Sequence, residues 1–471
     1  MNKEKLLLKN TAIVAIGQIC TKFVGFFLLP LYTAVLSTEE YGIVDILNTY
    51  ISLLLPIAFF QIDQGTFRFL IDVRNDEDEK RRLISTVLIT VILQSIIYIL
   101  FFIFIGQYIK NDYKYFLATN VLASMFSNLM LQIARGLGDN STYSLGSLLS
   151  GSGTIILNVI FIVIFKWGAY GMLSASCIAN CLCALFVFLR EKIYIYVKLR
   201  NYSLNEIKKI WKYSLPMVPN QLSWWVINAS DRTIITYILG VGINGIYSAA
   251  NKFSTICIAI FNVFNLTWAE SASIYVNDKE SEEYFSNIFN ITMKLFVSLC
   301  LGIIAFMPFV FKIFITGDSY ADAYYQIPIL LIATIFNISV SMLGSIYVAL
   351  KKTGEIAKTS LLAALINICV NLLLIRFIGL YAASISTLIA FFSMTLYRYR
   401  DVQKYKKIKV DKKFVISSII VGLYILSVYY MRNNYLCGLG AICAIIFTYM
   451  WNKNVLLGII KWILNKFKVK K

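Results

Sequence analysis

Lys22, Arg232 and Lys252 each fall inside a long apolar stretch of this 471-residue sequence, where a charge has no ordinary place. One cation at the centre of a membrane-spanning helix costs roughly 3 kcal/mol on insertion scales, so the three cost on the order of 10 kcal/mol unless water or an anion meets them. Their neighbours at helical spacing are polar. Lys22 shares a face with Thr11, Gln18 and Gly25, and Gln221, Trp225, Asn228 and Arg232 recur at 4-3-4 spacing. A third stripe holds Ser248, Lys252, Thr255 and Asn262, with Asn251 beside Lys252, and a fourth holds Asp45, Asn48 or Thr49, Ser52, Pro56 and Asp63. Narrow polar stripes on otherwise lipid-compatible helices line a cavity, and this one is biased to bind anions. The amides and hydroxyls read equally well as interhelical hydrogen-bond residues, worth about 0.6–2 kcal/mol each.

The acids supply a second chemistry. Asp45, Asp63 and Asp231 lie at depths where they could compensate the cations or bind a coupling proton or sodium ion. Asp231 adjoins Arg232 but points about 100° away from it, so it orients a neighbour instead of neutralising that arginine. Lys294 lies toward the end of its span, where it can also snorkel. Arg68 lies just past the second span, as an interfacial loop residue. Covalent catalysis has less to work with. Without a histidine the usual general base and proton relay are missing, which argues against hydrolytic chemistry, and an enzyme is not expected. The nine cysteines sit mostly in apolar segments, and Cys181 and Cys183 form C-x-C, so small structural hydrophobes are expected, with no metal and no cofactor.

These side chains must be carried by helices. The chain is 59% hydrophobic and only 15% charged, with mean hydropathy +0.71, against about 25% charged in soluble domains. An all-α polytopic membrane protein follows, with about fourteen spans near 11–36, 40–63, 84–106, 114–134, 142–165, 168–189, 213–238, 242–269, 286–311, 323–350, 357–376, 378–397, 414–431 and 435–451. The first apolar run is too long for a signal-peptide core and is expected to stay as a span. Most of the 44 lysines and arginines fall in alternate connections with the two termini, leaving Lys110, Lys114, Lys166, Lys312, Arg376 and Arg432 opposite. Both termini are therefore expected in the cytoplasm, although the connection from Glu270 to Glu283 holds only Lys279. The net charge of +19 sits in short loops, not on a soluble face, so nucleic acid is not expected as a partner. Ser203 and Glu206 have capping-box spacing and open a short amphipathic helix that ends at Pro216, an interfacial linker.

The chain also repeats itself. A shift of 203 residues sets Gln18 on Gln221, Gly42 on Gly245, Ile43 on Ile246, Asn48 on Asn251 and Ser52 on Thr255; a shift of 211 sets Gly168 and Tyr170 on Gly379 and Tyr381. Six spans per copy keep both copies in one orientation. The division expected is 1–200 and 201–400 as two six-helix bundles, with 401–471 as two accessory helices and a basic tail that lies on the anionic inner leaflet or in solvent.

Lys22 to Gly42, K-F-V-G-F-F-L-L-P-L-Y-T-A-V-L-S-T-E-E-Y-G, closely resembles the opening of the bacterial polysaccharide repeat-unit flippases, the O-antigen and capsule translocases. Leu215-Pro216-Met217-Val218-Pro219, then Ser230-Asp231-Arg232 and Gly245-Ile246-Tyr247-Ser248, resembles that family's seventh-to-eighth span signature. The resemblance covers roughly residues 1–400. It implies the fold shared with multidrug and toxin exporters, two pseudo-symmetric six-helix bundles in a V plus two C-terminal helices. It also implies location in the bacterial inner membrane and movement of an undecaprenyl-pyrophosphate-linked oligosaccharide to the outer leaflet. A polysaccharide polymerase and chain-length machinery would be partners. The family commonly has a lysine or arginine in the first span, the place of Lys22. Lys22, Arg232 and Lys252 would then meet the pyrophosphate while tryptophans 224, 225 and 268 face sugar rings. An ion-coupled multidrug antiporter of the same fold is the alternative, though it would be expected to use an acid-rich cavity. A membrane polymerase or ligase would need a large outer loop or a clustered catalytic set.

Overall fold

The computed structural model describes residues 25–108 and 112–468, side chains excepted at 220, 223, 227, 228, 266, 353, 456 and 458–468. Every regular element described is a helix. The chain divides into two compact units, Met1–Gly245 and Ile246–Lys471. The first holds α1 (Leu29–Val35), α2 (Thr38–Phe59), α3 (Ile62–Asp72), α4 (Glu77–Gly106), α5 (Lys114–Leu137), α6 (Asn140–Val159), α7 (Gly168–Arg190), α8 (Leu204–Ser214) and α9 (Met217–Ile238). Helix α10 (Val241–Tyr275) begins in the first unit and continues into the second. The second adds α11 (Ser281–Phe314), α12 (Ala323–Ala349), α13 (Thr353–Ile378), α14 (Tyr381–Val402), α15 (Lys412–Met431) and α16 (Asn434–Lys468).

Short polar turns start and stop these helices. Asp76, Asp139 and Asp411 cap α4, α6 and α15 by accepting backbone N–H groups of the first turn, which otherwise lack partners. Gly138, at φ +96°, ends α5 in the left-handed conformation. The core of the first unit joins Val87, Val121, Met125, Leu129, Ile133 and Leu173; that of the second joins Phe285, Ile338, Met342, Leu343 and Ile346. Outside these cores, long apolar side chains remain exposed. On α4, Ile97, Leu100, Phe101, Ile103 and Phe104 are each 60–66% exposed, a surface that belongs in lipid, not water.

Eleven of the described helices are long and apolar enough to cross a membrane, namely all but α1, α3, α8, α9 and α14. The all-α polytopic class is borne out, and the chain is a multi-pass membrane protein. Helices α9 and α14 coincide with two further expected spans but are less apolar, since α9 carries Gln221, Asp231 and Arg232 and α14 ends in Arg398, Arg400 and Asp401. The first expected span is described only from Gly25.

Two expectations need revision. The second span was expected to run to Asp63, with Arg68 in a following loop. Instead the helix stops at Phe59, where Phe60 and Gln61 both turn left-handed at φ 53°, one turn after Pro56. The chain then resumes as α3, which carries Asp63 and Arg68. The capping box at Ser203 forms only half: the Ser203 hydroxyl accepts from Glu206 N–H at 3.5 Å, while the Glu206 carboxylate takes Lys209 at 2.8 Å.

Candidate functional site

The motif L-S-T-E-E-Y-G builds one side of the site. Ser37 and Glu40 form a complete capping box, Glu40 N–H donating to Ser37 Oγ at 3.1 Å and Ser37 N–H to the Glu40 carboxylate at 3.0 Å. This fixes the start of α2 and brings Gly42 against the start of α10. A Cβ on Gly42 would lie 2.0 Å from the carbonyl oxygen of Val241, and one on Gly245 would lie 2.0 Å from that of Thr38. Thr38 and Val241 are also a shift of 203 apart, so the repeat-equivalent residues meet reciprocally, as a two-fold contact requires.

One turn further along α2 the contact becomes charged. Asp45 Oδ2 lies 3.0 Å from Arg232 Nε of α9, with the two side chains 15% and 21% exposed. Asn244, fully buried, donates through Nδ2 to the carbonyl of Gly42 at 3.2 Å and to Asp45 Oδ2 at 3.3 Å. Trp225 donates its indole N–H to the Thr49 carbonyl at 2.8 Å. Asp45, Arg232, Asn244 and Trp225 thus hold α2, α9 and the first turn of α10 together by polar contacts. A partly shielded ion pair of this kind is costly to break on one side only, because the remaining charge is left without its partner.

The other expected residues are placed less centrally. Asp231 is buried on α9, and Gln221 is exposed nearer its start. Asn251 and Lys252 are half-buried on the part of α10 that belongs to the second unit. Asp63 is 7% exposed; Gln64 donates to its Oδ2 at 2.8 Å and its buried Oδ1 has no hydrogen-bond partner among the described residues. Arg68 pairs with Asp72 at 2.7 Å on the exposed face of α3. The ammonium of Lys294 is taken by Asp411 at 2.7 Å and sits 4.9 Å over the Trp451 ring, so it fastens α11 to α15 and α16 instead of standing free for a ligand. Lys22 and Gln18 lie outside the described residues, as does the side chain of Asn228.

Two features escaped the sequence. Asn244 aligns with Tyr41 under the repeat, so the duplication carries no signal for it. Arg398, expected in the connection just past the span 378–397, is 1% exposed and donates to the carbonyls of Val340 and Ile356 and the hydroxyls of Thr359 and Ser360 at 2.9–3.3 Å. Gly344 makes room for it: a Cβ there would lie 2.8 Å from Nη1.

The polysaccharide biosynthesis protein family matches residues 7–269. The chain belongs to that family. The matched range includes both helix pairs of the reciprocal glycine contact, so the family resemblance of Lys22–Gly42 and Leu215–Ser248 is borne out. The chain is 22% identical over 314 residues to a Haloferax volcanii protein named probable low-salt glycan biosynthesis flippase Agl15. That match covers 65% of this chain and 64% of the relative, a little under two thirds of its length. Among solved structures, the lipid II flippase MurJ in an inward closed conformation aligns with TM-score 0.72 at 14% identity, over 94% of this chain and all of that one. An inward-facing multidrug resistance MATE transporter of the MOP superfamily aligns with TM-score 0.67 at 15% identity, over 83% of this chain and 99% of that one. At such identities the likeness is one of fold, and it gives this family member the helical fold of that superfamily.

Proposed function

We propose that this protein is a flippase that carries undecaprenyl-pyrophosphate-linked oligosaccharide repeat units from the inner to the outer leaflet of a bacterial cytoplasmic membrane, with both termini cytoplasmic. The observation that carries the reading is the polar cluster of Asp45, Arg232, Asn244 and Trp225 on helices within the family-matched range. A pyrophosphate and several sugars cannot cross hydrocarbon unaided, and cations in a medium of intermediate dielectric each stabilise a doubly charged anion by several kcal/mol. Lys22, Arg232 and Lys252 supply that charge, with Gln18, Gln221, Asn228 and Asn251 as hydrogen-bonding groups and Trp225 as a sugar face. The glycan flippase among the relatives supports the same substrate class. Flipped units would pass to a polymerase and its chain-length machinery.

The mechanism is alternating access by rocking of residues 1–200 against 201–400. The carboxylate of Asp45 and the substrate pyrophosphate compete for Arg232, and protonation of Asp45, or of Asp63 or Asp231, offers a route for coupling to a proton gradient, sodium being the other candidate. A gene deletion that leaves lipid-linked repeat units on the inner leaflet is expected of the flippase and not of a multidrug antiporter. Export normalised to membrane-inserted protein tests the residues. Lys22→Arg should retain activity while Lys22→Gln, Arg232→Gln and Lys252→Gln lose most of it, and full export by all three neutral variants overturns the cationic site.

A further inference from the structure

The first unit also has a groove that the flippase reading leaves unused. About 720 Å³ in volume, it runs between α4, α5 and α7 and is lined almost wholly by apolar groups, among them Leu88, Ile92, Phe126 and Leu185. That volume lies within the range of about 300–1,000 Å³ that holds a drug-sized ligand. Its wall is open to the lipid side, where Ile92, Cys181 and Leu185 are exposed. One end is closed by Tyr194 and Val197 of the turn after α7. That turn is pinned to α4, for Ser85 Oγ donates to the Tyr196 carbonyl at 2.5 Å and accepts from Lys198 N–H at 3.2 Å.

Basic residues border that end along the chain. Arg81 stands one turn before Ser85 on the same face of α4, and its buried Nε has no hydrogen-bond partner among the described residues. Lys192 and Lys198, which flank Tyr194 and Val197 in the run from 190 to 198, are exposed; Arg190 lies on the other face of α7, its guanidinium 5.6 Å from the Phe186 ring centre. The one acid within this run, Glu191, is half-buried, and burial holds its carboxyl above the usual range. An apolar slot with a cationic mouth at one end matches a lipid chain with an anionic head, and basic pockets between membrane helices recognise such heads.

We propose that this groove binds an anionic phospholipid, one acyl chain lying along α4, α5 and α7 and its phosphate held by Arg81, Lys192 and Lys198. The site is separate from the Asp45–Arg232 cluster and does not depend on the flippase reading. Full-length protein, purified in detergent and stripped of lipid, is offered dioleoyl phosphatidylglycerol or dioleoyl phosphatidylcholine at equal concentration, and retained lipid is counted by native mass spectrometry. Phosphatidylglycerol should be retained preferentially. Neutralising two cations in Lys192→Gln/Lys198→Gln should weaken retention roughly thirtyfold, at about one kcal/mol for each cation. Filling the slot with Cys181→Trp should abolish the saturable component. Equal retention of both lipids by the wild-type protein overturns the proposal whatever the variants do. So does unchanged retention by the charge variant, or displacement of phosphatidylglycerol by equimolar polyprenyl phosphate, which would make the groove a site for the substrate's tail.

Discussion

Substituting alanine at the reciprocal glycines tests the architecture most directly. A Cβ at Gly42 or Gly245 meets a carbonyl oxygen at 2.0 Å, whereas ordinary contact begins near 3.4 Å, so the start of α2 must withdraw from that of α10 by about 1.4 Å. Overpacking on that scale costs about 1–3 kcal/mol. The separation also pulls Asn244 from Gly42 and Asp45, with about 1 kcal/mol at stake for each hydrogen bond. Against this, replacing a mid-helix glycine with alanine gains only about 1 kcal/mol in helix propensity. The clash wins, and each of Gly42→Ala and Gly245→Ala should destabilise by about 1–3 kcal/mol. Because one separation accommodates both methyl groups, the double variant should cost distinctly less than the sum of the singles. Gly302→Ala, in the interior of α11 with nothing within 4 Å of its added Cβ, is the control and should stabilise slightly. Unfolding is followed in detergent by denaturant titration of the full chain, alongside repeat-unit export. Stabilisation by either single variant, or strict additivity in the double, refutes the two-fold crossing.

Further outcomes follow from the same contacts. Asp45→Asn combined with Arg232→Gln separates two roles of the arginine: if it only balances Asp45, the double variant exports better than Arg232→Gln alone, and if it also binds substrate, export stays lost. Ser37→Ala should cost about 1 kcal/mol by removing the cap of α2, measurable as a lower denaturant midpoint. At Arg398, lysine keeps the buried charge without the planar fork, so Arg398→Lys should destabilise more than Arg398→Met, which removes the charge as well. The Lys294 ammonium, hydrogen-bonded to Asp411, holds that carboxyl below the usual carboxylate range. Its contribution to stability is therefore complete above about pH 4 and lost as pH falls through the depressed value. Asp411→Asn should lower the unfolding midpoint at pH 7 and flatten that acid-side decline.

What the sequence made legible was what repeats along it or is set locally. Long apolar runs gave the helices, and Ser37-Thr-Glu-Glu gave a cap that the structure completes. Long-range partners were not legible. Asp45 and Arg232 sit on helices far apart in the chain, and nothing in either stripe says that they face each other; spacing places each side chain on a helix face but not that face against its neighbour. The break at Phe60 and Gln61 was hidden for a different reason. Neither residue type favours the left-handed region, so the turn is imposed by packing, and Pro56 was the only local sign of it.

The duplication itself separates scaffold from chemistry. Under the shift of 203 residues Thr38 and Gly42 map to Val241 and Gly245, and these are the groups that touch across the pseudo-two-fold contact. The polar partners break the symmetry: Asp45 maps to Ser248, Arg232 to Leu29, Asn244 to Tyr41, Trp225 to Lys22 and Lys252 to Thr49. A steric pivot needs the same small residue from both copies, because each glycine accepts the other's backbone. A binding site for a ligand with one charged end, such as the proposed substrate, has no such requirement, since a symmetric set of cations would offer two equivalent places for its one pyrophosphate. Charge is therefore expected to be asymmetric where the packing is symmetric, the arrangement found around Gly42 and Gly245. Introducing the missing equivalent, Leu29→Arg, should then create a competing anion site and slow export even with Arg232 intact. Undiminished export by inserted Leu29→Arg protein would show that the asymmetry has no functional weight.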